Sequence, residues 1–273
     1  MVFLRTTQKT SIDLQIARSQ ALSWSRMHRM CSCPRALSIV IPAYNEEQRI
    51  KPTLESIFDY FSSKKNTDFE IIVADNGSKD NTRSVVENFS YRYGNVFLTP
   101  PRPNFGKGFS IRQGMLANCS DKALFMDADG SAPISEFEKL NEALENNFDV
   151  AIGSRAKSGA NIVVHQPFYR QLMGRTFNFF TKHITGLDIE DTQCGFKAFT
   201  KNAASNIFVR QKIDGFAFDV EVLYLAKKLG YKIAEIPISW KNVEGSKVSP
   251  LFDAADMFLD ILRIRWIHFG EKF

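Results

Sequence analysis

From Leu37 onward, short apolar runs alternate with longer stretches in which apolar residues recur at helical spacing. Leu37-Ser38-Ile39-Val40-Ile41 reads as a buried strand stopped at Pro42, since proline supplies no N–H to a central ladder. A helix is expected over residues 46–61, a strand at Glu70-Ile71-Ile72-Val73-Ala74 and a helix over 81–89. Then come a strand at Val96-Phe97-Leu98, a helix over 107–118 and a strand at Ala123-Leu124-Phe125-Met126. Continuous apolar strands separated by helices predict an α/β fold, a mostly parallel sheet covered on both faces.

The second half is less regular. Strands are expected at Asp149-Val150-Ala151-Ile152-Gly153, at Phe196-Lys197-Ala198-Phe199 and over 232–238, with helices over 168–184 and 218–229. No repeat or low-complexity block interrupts residues 37–248, which are expected to form a single domain. Residues 249–273 follow as an amphipathic C-terminal helix. Asp253, Asp256, Asp260 and Arg263 fall on one face, and Phe252, Ala255, Phe258, Leu259, Leu262 and Trp266 on the other. That apolar face either packs on the domain or lies on a membrane.

With 273 residues, 44% hydrophobic and 24% charged, the chain is long enough to bury a large core, which excludes disordered and fibrous classes. The formal charge of +5 sits at one end: residues 1–36 carry six basic side chains against Asp13 alone. A nucleic-acid-binding body would place basic clusters on the folded part. Residues 1–36 are therefore expected as a flexible basic extension, or a segment drawn to anionic lipid heads. Cys31, Cys33, Cys119 and Cys194 form no C-x-x-C pair and no disulfide framework, which points to a reducing compartment. No run of about 18 apolar residues occurs, so work on lipid would be done from the membrane surface.

Ligands of open α/β sheets collect beyond the carboxyl ends of the strands. Three polar clusters fall at such ends: Ala43-Tyr44-Asn45-Glu46, Asp75-Asn76-Gly77-Ser78 and Asp127-Ala128-Asp129. Two carboxylates two residues apart suit Mg2+ or Mn2+, which bind through one or two carboxylates together with substrate phosphates. A tight turn explains Gly77, Ser78 and Asp80 but does not require Asp75, whose carboxylate is placed to accept a hydrogen bond from a nucleobase imide. Lys197, Asp219 and Glu221 are expected to form an internal charge network.

The run Ile41-Pro42-Ala43-Tyr44-Asn45-Glu46-Glu47, the Asp75 turn, Asn104-Phe105-Gly106-Lys107-Gly108 and Asp127-Ala128-Asp129-Gly130 together resemble the inverting GT-A glycosyltransferases of family 2. The likeness continues through Gly153-Ser154-Arg155, Phe168-Tyr169-Arg170, Asp191-Thr192-Gln193-Cys194-Gly195-Phe196-Lys197, Ala217-Phe218-Asp219-Val220-Glu221 and Glu244-Gly245-Ser246-Lys247. Within the family the set is similar to the dolichyl-phosphate β-glucosyltransferase group, with the mannosyl enzymes as near relatives.

The resemblance implies a Rossmann-like GT-A domain, a UDP-glucose donor, Mg2+ or Mn2+, and a dolichyl or other polyprenyl phosphate acceptor at the cytosolic face of a membrane, the endoplasmic reticulum in a eukaryote. It implies Pro42, Ala43, Tyr44 and Glu46 around the nucleotide, Asp75 as uracil reader and Lys107 at the donor. Asp127 and Asp129 correspond to the aspartates at nucleotide and metal, and Arg155 and Arg170 to positions holding the lipid phosphate. Ser131 stands where the mannosyl relatives often carry Gln, which argues mildly against the mannosyl reading. The relatives usually carry transmembrane helices, and this chain shows none.

A phosphate acceptor is mostly a dianion at neutral pH, with a second pKa of about 6, and needs no general base. A hydroxyl acceptor needs one, and Asp191 is the candidate. Alternative expectations are thus a soluble transferase with a hydroxyl acceptor, a mannosyl or other hexosyl polyprenyl phosphate synthase, or a nucleotide-sugar-binding module without turnover.

Overall fold

The computed structural model describes the backbone of residues 2–31, 35–164, 168–243 and 252–270, and their side chains except at 2–13, 31, 168–172, 175 and 252–255. A first helix, α1 (Val2–Cys31), precedes the alternation that the periodicity predicts: β1 (Leu37–Ala43), α2 (Ile50–Ser63), β2 (Phe69–Asp75), α3 (Thr82–Tyr93), β3 (Val96–Leu98), α4 (Lys107–Ala117) and β4 (Lys122–Met126). The second half runs α5 (Phe137–Glu145), β5 (Val150–Ser154), β6 (Asn161–Val164), α6 (Phe168–Thr185), β7 (Phe196–Thr200), α7 (Lys201–Phe208), α8 (Phe218–Lys228), β8 (Ile233–Pro237), β9 (Ser239–Lys241) and α9 (Phe252–Ile267).

Seven strands form the main sheet in the order β3-β2-β1-β4-β7-β5-β8, while β6 and β9 pair apart from it. All neighbours in the main sheet are parallel except that β7 runs antiparallel to both β4 and β5. The chain winds outward from β1 to β3 and then crosses back to β4 on the other side of β1, so a switch point lies between β1 and β4. The reversal of β7 decides the rest. Met126 pairs with Phe196 and Ile152 with Lys197, so the loop entering β7 stands at the edge where β1, β4 and β5 end.

Strand alternation divides the core between the two faces of the sheet. Ile39, Ile41, Ile71, Val73 and Met126 face α2 and α5, whereas Val40, Ile72, Phe125, Ile152 and Phe199 pack with Ile111 of α4, Phe218 of α8 and Ile261 of α9. The sequence expectation of one strand over 232–238 resolves into β8 and β9, with the buried Ile238 between them. The short helices α5 and α7 were not anticipated.

Both chain ends depart from expectation. Residues 14–31, expected as flexible, lie on α1, which docks on α4 through the small buried residues Ala21 and Ser25: Ser25 Oγ donates to the Gln113 carbonyl at 2.8 Å, and Gln113 Nε2 to the Ala21 carbonyl at 3.1 Å. Trp24 stacks on His28, whose ring meets Phe97 edge-on. Polar and small residues make this contact, so hydropathy does not announce it.

On α9 the expected apolar face is turned outward. Ile261 and Ile264 are fully buried, whereas Leu259, Leu262 and Trp266 are 55%, 48% and 86% exposed. The helix is apolar on two sides, and the isoleucine side wins the core because it meets the face lined by Phe218 and Val222. Phe258 packs edge-on against Phe180 of α6, with ring centroids 5.3 Å apart. Phe252 and Ala255 carry side chains outside the described set. No described helix is long and apolar enough to cross a membrane.

Candidate functional site

The ends of β1 and β2 are zipped together by side chain to backbone bonds. Asn45 N donates to Ser78 Oγ at 3.0 Å, Lys79 N to Asn45 Oδ1 at 2.8 Å, and Glu46 N to Thr82 Oγ1 at 2.7 Å. Asn45 adopts a left-handed conformation, φ 54°, which asparagine tolerates better than most residues. Pro42 and Ala43 thus end β1, and Tyr44 follows it, beside the switch point between β1 and β4. Glu46 is fixed by Arg49, whose Nε and Nη2 approach its two oxygens at 2.6 and 2.7 Å.

Asp75 is fully buried and more engaged than a turn was expected to need. Its oxygens accept from Gly77 N at 3.3 Å, Ser78 N at 3.2 Å and Arg83 Nη1 at 3.0 Å. A carboxylate offers about four acceptor positions, and these three bonds occupy two on Oδ2 and one on Oδ1.

Asp127 and Asp129 follow β4 on a turn held from two sides. Asp127 N donates to the Gly195 carbonyl at 3.1 Å, and Thr53 Oγ1 to the Ala128 carbonyl at 2.8 Å. Asp129 Oδ1 accepts from Ser131 N at 2.9 Å. Lys107, at the first turn of α4, approaches Asp127 Oδ1 at 2.7 Å. Burial alone would lower the Lys107 pKa, but the charges of Asp127 and Asp219 and the bond to Asp127 raise it above the ordinary lysine value. Lys107 is therefore a permanent cation against the aspartate pair. It gets there because Gly106, at φ 106°, lets the loop pass the Asp214 carbonyl; a β-carbon would stand 2.2 Å from that oxygen.

Among the described residues no group of three His, Cys, Asp or Glu side chains gathers as a metal cage. Two carboxylates on one turn fit Mg2+ or Mn2+ taking further oxygens from phosphate and water, and do not fit a closed protein site.

The loop entering β7 brings Asp191 and Gly195 to the same edge. Asp191 is a partner of Arg155: its carboxylate accepts from Arg155 N at 2.9 Å, Nε at 2.7 Å and Nη2 at 2.8 Å. Burial would raise the carboxyl pKa, but the Arg155 charge and bonds outweigh it and hold Asp191 below its ordinary value. Arg155, at the end of β5, also lies over the Trp240 ring at 5.3 Å, a contact no sequence pattern signalled. Arg170 lies on α6 with its side chain outside the described set, as does the whole Glu244-Gly245-Ser246-Lys247 run.

The expected charge network behind the site exists in two separate parts. Fully buried Lys197 pairs with Asp219 and donates to the Cys194 carbonyl at 2.7 Å. Burial pushes the Asp219 carboxyl up, with Lys197 and Lys107 acting against it. Glu221 instead accepts from Lys212 N and Ile213 N, both at 2.8 Å, and meets His268 Nε2 at 2.7 Å.

The sequence profile described as Glycosyl transferase family 2 matches residues 38–208. The dolichyl-phosphate beta-glucosyltransferase of Dictyostelium discoideum is 34% identical over 241 residues, spanning 84% of this chain and 74% of that protein. The human protein of the same name is 36% identical over 243 residues, spanning 85% of this chain and 75% of its own. Glucosyl-3-phosphoglycerate synthase from Mycobacterium tuberculosis, solved with Mn2+, UDP and glucosyl-3-phosphoglycerate, shares the fold at TM-score 0.57 and 19% identity, over 92% of this chain and 85% of that one.

Proposed function

The chain belongs to glycosyl transferase family 2, and from that premise we propose that it transfers glucose from UDP-glucose to a dolichyl or other polyprenyl phosphate, giving a β-linked product. It is a glycosyltransferase with the GT-A fold. The observation that carries the acceptor assignment is the state of Asp191. The base that a hydroxyl acceptor would require has both carboxylate oxygens bonded to Arg155, whose charge and bonds hold its pKa below the ordinary carboxylate value. A phosphate dianion needs no proton removed.

Each part of the crevice then has a task. Asp75 takes the uracil imide, with Pro42, Ala43, Tyr44 and Glu46 shaping the nucleoside pocket. Lys107 sets a fixed positive charge where the leaving diphosphate accumulates negative charge. Asp127 and Asp129 would hold Mg2+ or Mn2+, which when bound neutralises the same diphosphate. Attack on the anomeric carbon from the face opposite the diphosphate inverts its configuration, so an α-linked donor yields a β-linked product. Arg155, braced by Asp191 and Trp240, is the residue assigned to the acceptor phosphate, with Arg170 as the second guanidinium for the same task.

A polyprenyl acceptor resides in a bilayer, so the protein works peripherally on the cytosolic side of a membrane, the endoplasmic reticulum in a eukaryote. The outward Leu259, Leu262 and Trp266 on α9 support that contact. The test is an acceptor panel with UDP-glucose and either divalent ion: polyprenyl phosphate, a free sugar and a glycan. Glucosylation of the lipid phosphate alone is the expected result, and glucosylation of the hydroxyl acceptors alone overturns the assignment.

A further inference from the structure

Arg102, between β3 and α4, is a buried cation whose hydrogen-bond partners are all neutral. Nε donates to Gln113 Oε1 at 3.0 Å, Nη1 to Asn76 Oδ1 at 2.9 Å and the Pro103 carbonyl at 3.3 Å, and Nη2 to Ser110 Oγ at 2.8 Å. The nearby carboxylates are occupied: Arg83 holds Asp75 at 3.0 Å, and Arg18 and Arg112 hold Asp214 at 2.5 and 3.2 Å. Burial pushes the Arg102 pKa down to about 10, with Asp75 and Asp214 acting the other way, so it stays charged at neutral pH. Burying a guanidinium without a bonded carboxylate is costly, and such costs are retained where a site needs them.

The bonds of Arg102 converge on the two loops that frame the crevice. Asn76, directly after Asp75, accepts from Arg102 and from Phe105 N at 3.1 Å, and donates to Asn104 Oδ1 at 2.9 Å. Asn104 in turn accepts from Gly106 N at 2.9 Å, one residue before Lys107. The loops touch at the backbone, since a β-carbon on Gly77 would stand 2.6 Å from the Arg102 carbonyl oxygen. From behind, α1 holds Gln113, the partner of Nε, through Ala21 and Ser25. The Phe109 ring packs under Arg102 at 4.8 Å and under Arg18 at 5.4 Å.

We propose that Arg102 is a positioning residue for the donor: it fixes the separation between the nucleobase end of the site, at Asp75, and the diphosphate end, at Lys107, and adds an unneutralised positive charge that favours a nucleoside diphosphate. This rests on the donor being a nucleoside diphosphate sugar. A side chain that only supported the core would alter stability and leave the balance of donor and acceptor binding as it is.

Arg102→Met and Arg102→Lys are compared with the wild type by calorimetric titration of UDP in the presence of Mn2+, by steady-state kinetics and by thermal unfolding. Arg102→Met is expected to weaken UDP binding and raise the donor KM by about tenfold or more, with the acceptor KM within about twofold of wild type. Arg102→Lys, which keeps the charge but not the fork, recovers part of that loss. If Arg102→Met does not fold, a folded Arg102→Lys with weakened UDP binding and an unchanged acceptor KM carries the test. Folded variants that bind UDP as the wild type does overturn the inference and leave the donor assignment intact. A wild type that does not bind UDP overturns both.

Discussion

At Gly195 a side chain as small as a methyl group would stand 2.1 Å from Asp127 Oδ2 and 2.4 Å from its Cγ. The aspartate is short, so it would have to turn away from Lys107. Gly195→Ala is predicted to lower kcat by about 10- to 100-fold, on the scale of misplacing a transition-state contact, with the fold intact by circular dichroism. Asp129→Ala is predicted to cost about 10² to 10³ in kcat, and full activity would remove its metal role. Asp191 allows a pH test. Its folded pKa lies below the unfolded carboxylate value of about 3.9, because the Arg155 charge and bonds outweigh burial. The stability from the pair is therefore present above that value and lost as pH falls through the lower folded one. Asp191→Asn should lower the unfolding free energy at pH 7 by about 1–3 kcal/mol and flatten the acid limb, as urea titrations at pH 7 and pH 3 would measure. The positions of Asp75, Asp127 and Asp129 at strand ends were legible because each follows an apolar run that names its strand, whereas Lys107 was singled out through the family resemblance. Gly195, Trp240 and Arg102 were not, since their roles depend on distant segments meeting.

Among the elements, β7 did most to separate expectation from structure. Its apolar run announces a strand but not a direction, and its antiparallel insertion is what sets Asp191 and Gly195 beside Asp127 and Arg155. Helix α9 shows a related limit: the sequence reading set one apolar face against a charged one, whereas the side that packs inward is the one carrying Ile261 and Ile264, in the same cluster as Phe218 and Val222 of α8. Ile264→Ala should cost about 2–5 kcal/mol of stability as a fully buried truncation. Leu262→Ser with Trp266→Ser, on the exposed side, should leave stability within about 0.5 kcal/mol per site and UDP binding unchanged, while reducing sedimentation with anionic vesicles. Equal sedimentation of the double variant and wild type would exclude α9 as the membrane contact.

For the molecule as a whole, the alternation after Leu37 was enough to read a single α/β domain with a mostly parallel sheet. The basic excess at the N-terminus proved structural in part. Arg18 pairs with Asp214 at 2.5 Å, so charge that composition ascribes to a free tail is used to dock α1 behind the donor loops. Fold, crevice and charge converge on transfer from a nucleotide sugar to a lipid phosphate. The most direct measurement incubates purified protein with radiolabelled UDP-glucose, a short polyprenyl phosphate and Mg2+ or Mn2+, extracts the product into organic solvent and determines its anomeric configuration. The account predicts label in the organic phase as a β-linked glucosyl phosphate, abolished by chelator and by Asp129→Ala. Label confined to the aqueous phase, or an α-linked product, would contradict it.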